Sequence, residues 1–307
     1  MKKKVICLLG PTASGKTNIA CRFVQDHPLD IISVDSAMIY RELNIGSAKP
    51  TSDELKCAPH RLIDIRNPDE SYSASEFCID AKREIDAIHA HGRIPLLVGG
   101  TMMYFRALQV GLAPMPGKDD NIRQTLVALA REKGIDYLHA ELARVDASSA
   151  KRIHAHDSQR IQRALEVYMI TGKPMGEHWQ DEMTSPYEFL NIVLFPDDRA
   201  WLHERIARRF HDLIQQGFIE EVKALIEKWH LNAQSLSMRS VGYRQVLGYL
   251  LGEYDYQSML DKGIAATRQL AKRQLTWLRK WPEAIMISPI QDESYLQIQG
   301  LIEQFIV

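Results

Sequence analysis

The segment Gly10-Pro-Thr-Ala-Ser-Gly15-Lys16-Thr17 fits G-x-x-x-x-G-K-[ST] without a mismatch. That spacing does phosphate chemistry. Glycines let consecutive backbone N–H groups turn toward phosphate oxygens, and the N-terminus of a following helix adds partial positive charge. Lys16 is placed to neutralise a terminal phosphate, and the Thr17 hydroxyl to ligate Mg2+. Gly10, Pro11, Thr12, Ala13, Ser14, Gly15, Lys16 and Thr17 therefore read as a cradle for a diphosphate-bearing ligand, which need not be ATP. Two further segments end in reactive residues. Ile31-Ile-Ser-Val-Asp35-Ser36 puts an acid past an apolar run, suited either to holding Mg2+ or to acting as a base on an acceptor. In Leu97-Val-Gly-Gly-Thr101 the glycines permit close backbone approach to a ligand, and the Thr101 hydroxyl can donate to a phosphate oxygen.

Positioning such groups requires a scaffold. Val5–Leu9, Ile31–Val34 and Ile94–Val98 are apolar without alternation, as strands covered on both faces are. Helical patterns lie between them, over Lys16–Gln25 and Ala74–His89. Strands alternating with helices predict an α/β fold, a P-loop NTPase-like parallel sheet flanked by helices. Open sheets of this kind bind ligands at the carboxyl ends of their strands, where the loop, Asp35 and Thr101 all fall. Phe189–Phe195 is one more strand, followed by a long helix from about Asp198 with Asp197 or Asp198 as cap. Between Pro114 and about Pro186 no strand signal appears. Asp120–Glu132, Ile135–Val145 and Asp157–Ile170 carry helical spacing there, and Gly172 is a helix stop. The expected organisation is a core of residues 1–115 and 187–307, interrupted by a mainly helical insertion domain over 116–186. Beyond Ala284 strand and helix stay undecided.

The 307 residues carry a net charge of −1, so a nucleic-acid partner would have to be held by a segregated basic surface. Arg199 to Pro282 contains 14 Lys and Arg against 8 Asp and Glu, and Thr267–Trp281 contains no acid at all. At about 100° per residue, Arg268, Lys272 and Arg279 share one helix face, and Leu270, Trp277, Leu278 and Trp281 a second one directed at the core. Arg160 and Arg163 form a basic pair one turn apart on an insertion helix. Such stripes fit phosphate-backbone binding with marked salt dependence. The four cysteines show no CxxC spacing, so neither zinc nor a disulfide framework is expected, and a reducing compartment fits. The apolar run after the first lysines is shorter than the roughly 7–15 residues of a signal h-region. No run approaches the roughly 18 apolar residues of a membrane span. A cytoplasmic protein without membrane contact is expected, and nothing demands more than a monomer or an obligate protein partner. Taken alone, the residues also suit a small-molecule or nucleotide kinase, or a nucleotide-regulated RNA-binding module.

Several strings together resemble the tRNA dimethylallyltransferase (isopentenyltransferase) family, in its bacterial type without a zinc finger: GPTASGKT, SVDSAMIYRELNIGSAKP, PHRLIDI, RIPLLVGGT, QRIQRALEVY, SVGYRQ and ATRQLAKRQLTWLR. The resemblance runs from Gly10 to about Trp281. It implies transfer of a dimethylallyl group from dimethylallyl diphosphate to N6 of the adenosine just 3′ of the anticodon, with release of diphosphate. It also implies roles for particular residues. Asp35 would be the general base, Thr101 would contact the reacting region, and Lys16 and Arg209 would clamp the diphosphate held over Gly10–Thr17. Thr17 would lie near Mg2+. The tRNA anticodon stem-loop would be met by Asp35, Ser36, Ala37 and Met38, by Thr101 and Arg123, and by Gln159, Arg160, Ile161, Gln162 and Arg163. Arg239, Ser240, Val241, Gly242, Tyr243 and Arg244 match another tRNA segment, as do Arg268, Lys272 and Arg273. Met38 stands where the commoner family pattern has Gln, and Ser47 and Ser240 replace Thr and Cys.

Overall fold

The computed structural model of the chain describes residues 2–113, 115–178, 185–290 and 293–307. Two compact units emerge, residues 1–109 with 185–307, and residues 110–184. The first division falls within the last turn of a helix, a few residues before the expected proline punctuation. Pro114 and Thr184, which the sequence marks as exit and return, lie outside the described residues.

The first unit begins with β1 (Lys3–Leu9), α1 (Lys16–Asp26), β2 (Leu29–Val34), α2 (Ser52–Cys57), β3 (His60–Arg61), α3 (Ala74–Ala90), β4 (Ile94–Gly99) and α4 (Met102–Val110). The helical unit supplies α5 (Asp120–Lys133), α6 (Ile135–Val145), α7 (Ala147–Arg152) and α8 (Ser158–Thr171). The first unit then resumes with β5 (Tyr187–Leu194), α9 (Arg199–Gln215), α10 (Phe218–Trp229), α11 (Tyr243–Leu250), α12 (Tyr256–Leu278), β6 (Ala284–Ile287) and α13 (Ser294–Ile306). Its six strands lie in the order β3-β2-β4-β1-β5-β6, and all pair in parallel.

Both faces of this sheet are covered, which is why its strands are apolar without alternation. Val5, Cys7 and Leu9 of β1 face a core that includes Phe77 and Ile85 of α3, Phe210 of α9 and Phe218 of α10. Ile6 and Leu8 face the opposite layer, built by Ala20 and Phe23 of α1 with Ile298 and Ile302 of α13. The last residues, undecided from sequence, thus extend the sheet by a parallel strand beside β5 and close its second face. Periodicity alone missed this because β6 is only four residues long. The start of α9 is as expected: the Asp198 side chain accepts from the Ala200 N–H.

The helical unit has its own core of Leu126, Leu138, Leu142, Ile161 and Leu165. Asp119 and Asp157 cap α5 and α8, and Gly172 ends α8 in the left-handed region. Helix α7, additional to the three expected there, is a six-residue helix capped by the buried Asp146. Among the described residues this unit contains no strand, and no helix of either unit's described residues is long and apolar enough to cross a membrane.

One packing constraint is tight. Gly99, the last residue of β4, has the Val34 carbonyl where a Cβ would lie. Gly99→Ala should therefore push β2 from β4 and cost about 1–3 kcal/mol, the usual penalty of overpacking. Urea unfolding followed by circular dichroism measures it, and an unchanged midpoint would refute the account.

Candidate active site

Leu9, Gly99 and Val34 are paired side by side across β1, β4 and β2. The three chemistry-bearing loops consequently leave the sheet at one level. Adjacent strands are about 4.8 Å apart, so the turn into the phosphate loop and Asp35 start about 10 Å apart with Gly100 and Thr101 between them. Parallel pairing thus gathers residues that are far apart in sequence.

The phosphate loop is tied from outside. The Thr12 N–H donates to Gln274 Oε1 at 2.9 Å, and Arg205 Nε donates to the Ala13 carbonyl at 2.9 Å. Lys16 Nζ donates to the Pro11 carbonyl at 2.7 Å and approaches Ser14 Oγ at 3.4 Å. Gly15 has φ +94°, so the turn into α1 uses a conformation that disfavours any side chain. The first-turn amides of α1, those of Lys16 and Thr17, have no acceptor within the helix and are available to an anion. Burial, reinforced by the Arg209 guanidinium and opposed by Asp35, draws the Lys16 pKa down to about 7.

Across the sheet end, Asp35 Oδ1 accepts from the N–H groups of Ala37 at 2.8 Å and Met38 at 3.3 Å. Its own turn therefore fixes the carboxylate, and among the described residues no hydrogen bond reaches Oδ2. Thr101 Oγ1 accepts from the Ser36 N–H at 3.1 Å, tying the β4 loop to the β2 loop. Arg209, on α9, is desolvated, which lowers its pKa, while Asp35 pulls in the opposite direction. Lys16, Arg209 and Asp35 are thus mutual electrostatic neighbours. All three line one cavity of about 1220 Å³, together with Thr17, Met38 and Thr101. Single small-ligand pockets run to about 1,000 Å³, so this volume is enough for a small donor and part of a second substrate.

The opposite wall is the loop over Asn44–Pro50, to which the sequence alone gives no role. Glu221 of α10 accepts from three consecutive backbone N–H groups, those of Asn44, Ile45 and Gly46, at 3.0, 2.6 and 3.1 Å. It also accepts from the Tyr243 hydroxyl at 2.7 Å. Lys49, with its side chain 4% exposed, donates to the Tyr40 carbonyl, Asn44 Oδ1 and Asp64 Oδ1, which uses every proton of the ammonium. Ala13, Ala48 and Asp64 border the cavity with positive φ. Strained backbone of this sort persists where the surroundings over-determine it. No local signal marks Glu221, because the backbone amides it holds lie some 175 positions away.

The residues expected to meet tRNA fall in different surroundings. Tyr243 is fully buried, its hydroxyl committed to Glu221, whereas Arg239, Ser240, Val241 and Gly242 line the cavity and Arg244 is exposed. Ile161 is in the core of the helical unit, while Gln159 and Arg160 are exposed and Gln162 is half-buried. Arg163 and Arg123 do not present free guanidinium groups: both clamp Glu166, which is 1% exposed, at 2.7 Å. Those two guanidinium groups, with the Asp119 N–H, offset the cost of burial and hold the Glu166 carboxyl down to about 2. The basic run on α12 also divides differently. The helix ends at Leu278, so Arg279 lies beyond it with its guanidinium over the Phe195 ring. Arg268 is half-buried, Lys272 is exposed and Arg273 lines the cavity. Leu278 and Trp281 enter the core and Trp277 packs against it as expected, while Leu270, with one side of Trp277, lines the cavity, because the α12 face turned to the sheet end is the one carrying Gln274.

Replacing Glu221 by Gln keeps the shape but sets an NH2 group against backbone donors. With an unsatisfied buried group costing about 1–3 kcal/mol, Glu221→Gln should lose at least ~2 kcal/mol. Thermal unfolding and amide exchange at Asn44–Gly46 report it, and unchanged protection there would contradict the role.

Comparison with known proteins places this geometry. The family model described as IPP transferase matches residues 38–281. A tRNA dimethylallyltransferase of Legionella pneumophila (strain Lens) is 57% identical over 290 residues, 93% of this chain and 91% of that protein. Its counterpart from strain Paris is 57% identical over 286 residues, with the same coverage. The crystal structure of a full-length tRNA isopentenylpyrophosphate transferase from Bacillus halodurans matches with a TM-score of 0.74 and 32% identity, over 99% of this chain and 97% of that one. A eukaryotic dimethylallyltransferase acting on tRNA gives a TM-score of 0.79 at 23% identity, over 99% and 79% of the two chains, a likeness of fold alone. With the phosphate loop, the strand-end acid and these matches extending over nearly the whole sequence, the chain belongs to the IPP transferase family.

Proposed function

We propose that this chain transfers a dimethylallyl group from dimethylallyl diphosphate to N6 of the adenosine 3′ of the anticodon in tRNA, releasing diphosphate. The observation that carries the reading is the convergence of Lys16, Arg209 and Asp35 in one cavity, with the phosphate loop on one side of Thr101 and the acid on the other. Adenine N6 is a weak nucleophile, and a carboxylate is too weak a base to ionise it beforehand. Asp35 instead takes the N6 proton as the new C–N bond forms. The allylic C–O bond breaks at the same carbon, and its electron pair leaves on diphosphate. The loop amides, Lys16 and Arg209 meet that growing charge and favour the transition state over the ground state. No covalent enzyme intermediate is needed.

Mg2+ fits the oxygen donors at the loop. Thr17 offers a hydroxyl, and an ion that keeps water and substrate phosphate oxygens needs few protein ligands. Bound there, Mg2+ would neutralise diphosphate charge.

For tRNA, the exposed Lys272 and Arg273 of α12, Arg239 and Arg244 supply cations beside or near the cavity. On the helical unit, Arg160 presents an exposed cation and Gln159 an exposed amide. In this reading Arg123 and Arg163 act through Glu166 to hold α5 and α8 in place, and the base to be modified is taken out of its stack at a cost of a few kcal/mol. A kinase reading leaves these basic surfaces without a purpose.

Incubation with dimethylallyl diphosphate, Mg2+ and unmodified tRNA should yield N6-dimethylallyladenosine at one position, read by mass spectrometry of digested tRNA. Asp35→Ala should lower the rate by about 10²–10⁴-fold, the usual weight of a general base, while tRNA affinity stays within about threefold. Absence of the five-carbon adduct with the unaltered protein would reject the function. A second expectation concerns pH. The free protein's Lys16 loses its proton as pH rises through about 7, whereas a bound diphosphate favours the ammonium. Donor affinity should therefore fall above that pH, by at most about tenfold per unit. Calorimetry at pH 8 in buffers of different ionisation enthalpy should register uptake approaching one proton, and zero uptake would contradict it.

A further inference from the structure

Gln274 lies on α12, 8% exposed, and both ends of its amide are used. Oε1 accepts from the Thr12 N–H at 2.9 Å, and Nε2 donates to the Gly100 carbonyl at 2.8 Å. The orientation is unambiguous, because a backbone N–H only donates and a carbonyl only accepts. One planar group therefore spans from the phosphate loop to the turn after β4. That turn continues to Thr101, whose Oγ1 holds the Ser36 N–H next to Asp35. The site is also shaped around the amide: a Cβ on Gly100 would lie 2.5 Å from Gln274 Nε2.

This tie does something the sheet cannot. Strand pairing sets β1, β4 and β2 to one level at Leu9, Gly99 and Val34, and stops there. Beyond those residues no ladder fixes the phosphate loop relative to the Gly100–Thr101 turn. Gln274 is a direct hydrogen-bonded bridge between the two, and it comes from the helix that also carries Lys272 and Arg273.

We infer that Gln274 is a positioning residue for prenyl transfer: its amide sets the spacing between the diphosphate cradle and the acceptor side marked by Thr101 and Asp35. This rests on the function proposed above. It acts through backbone and touches neither reacting atom, so it affects the rate of the bound complex and not the binding of either substrate. A misplacement of about 1 Å costs up to about 100-fold in rate.

Two variants of Gln274, with Gly100→Ala beside them, test it. Gln274→Met removes both hydrogen bonds at nearly constant volume. Gln274→Glu keeps the acceptor for Thr12 but faces Gly100 with an oxygen where a donor was. Single-turnover transfer with both substrates saturating should slow about 10- to 100-fold in each variant. The separately measured dissociation constants for dimethylallyl diphosphate and for tRNA should stay within about threefold of the parent. Gly100→Ala strikes the same bridge, so its loss and that of Gln274→Met should not multiply in the double variant. An unchanged rate in both Gln274 variants overturns the inference, as does a loss confined to donor affinity, or a double variant whose losses multiply. A parent protein that makes no prenylated tRNA rejects the functional reading instead, which separates the two failures.

Discussion

Everything at the site follows from three parallel strands that finish level with one another. Because Val34, Gly99 and Leu9 are direct neighbours across β2, β4 and β1, the acid, the Thr101 turn and the phosphate loop emerge side by side. The constraint is steric as well as hydrogen-bonded. Only a glycine at position 99 allows the Val34 carbonyl to approach so closely. The two apolar layers on either side of the sheet hold that alignment, which is why the chain devotes α1 and α13 to one face and α3 with α9–α12 to the other.

The helices beyond β5 contribute ties that connect the loops. Arg205 and Gln274 hold the phosphate loop, Glu221 holds Asn44–Gly46, and each reaches from a helix to backbone groups more than 170 positions earlier. Two buried charges are handled in the same way. The Lys49 ammonium has three acceptors, and the Glu166 carboxylate has two guanidinium groups and an amide. Lys16 differs from both. It rests on a carbonyl and a hydroxyl next to another cation, and burial lowers its pKa. An ammonium so poorly compensated is poised for a phosphate, the ligand whose charge it lacks.

The basic residues sort by what they touch. Arg123 and Arg163 are structural within the helical unit, Arg205 braces the phosphate loop, and Arg209 and Arg273 line the cavity. Counting cations along the chain cannot separate these roles, since a guanidinium on a buried carboxylate and one facing a ligand have the same sequence. Met38, departing from the commoner Gln, sits at the cavity with its sulfur 3.9 Å from Ser33 Oγ, so an apolar, polarisable side chain forms that part of the wall.

From the sequence alone came the parallel α/β class, the phosphate loop, the strand-end positions of Asp35 and Thr101, and a helical stretch between β4 and β5. These are legible because they are local: hydrophobic runs, glycine spacing and helix caps each report on a few neighbouring residues. The resemblance of whole strings to a known family added Arg209 and the acceptor. Hidden until the tertiary structure were β6 and α13 closing the sheet, the anchoring of Asn44–Gly46 by Glu221, the core burial of Tyr243 and the bridge made by Gln274. Each depends on groups brought together from distant parts of the chain. Only the register of the sheet and the packing of helices against it decide which of them meet, and no pattern of nearby residues records that.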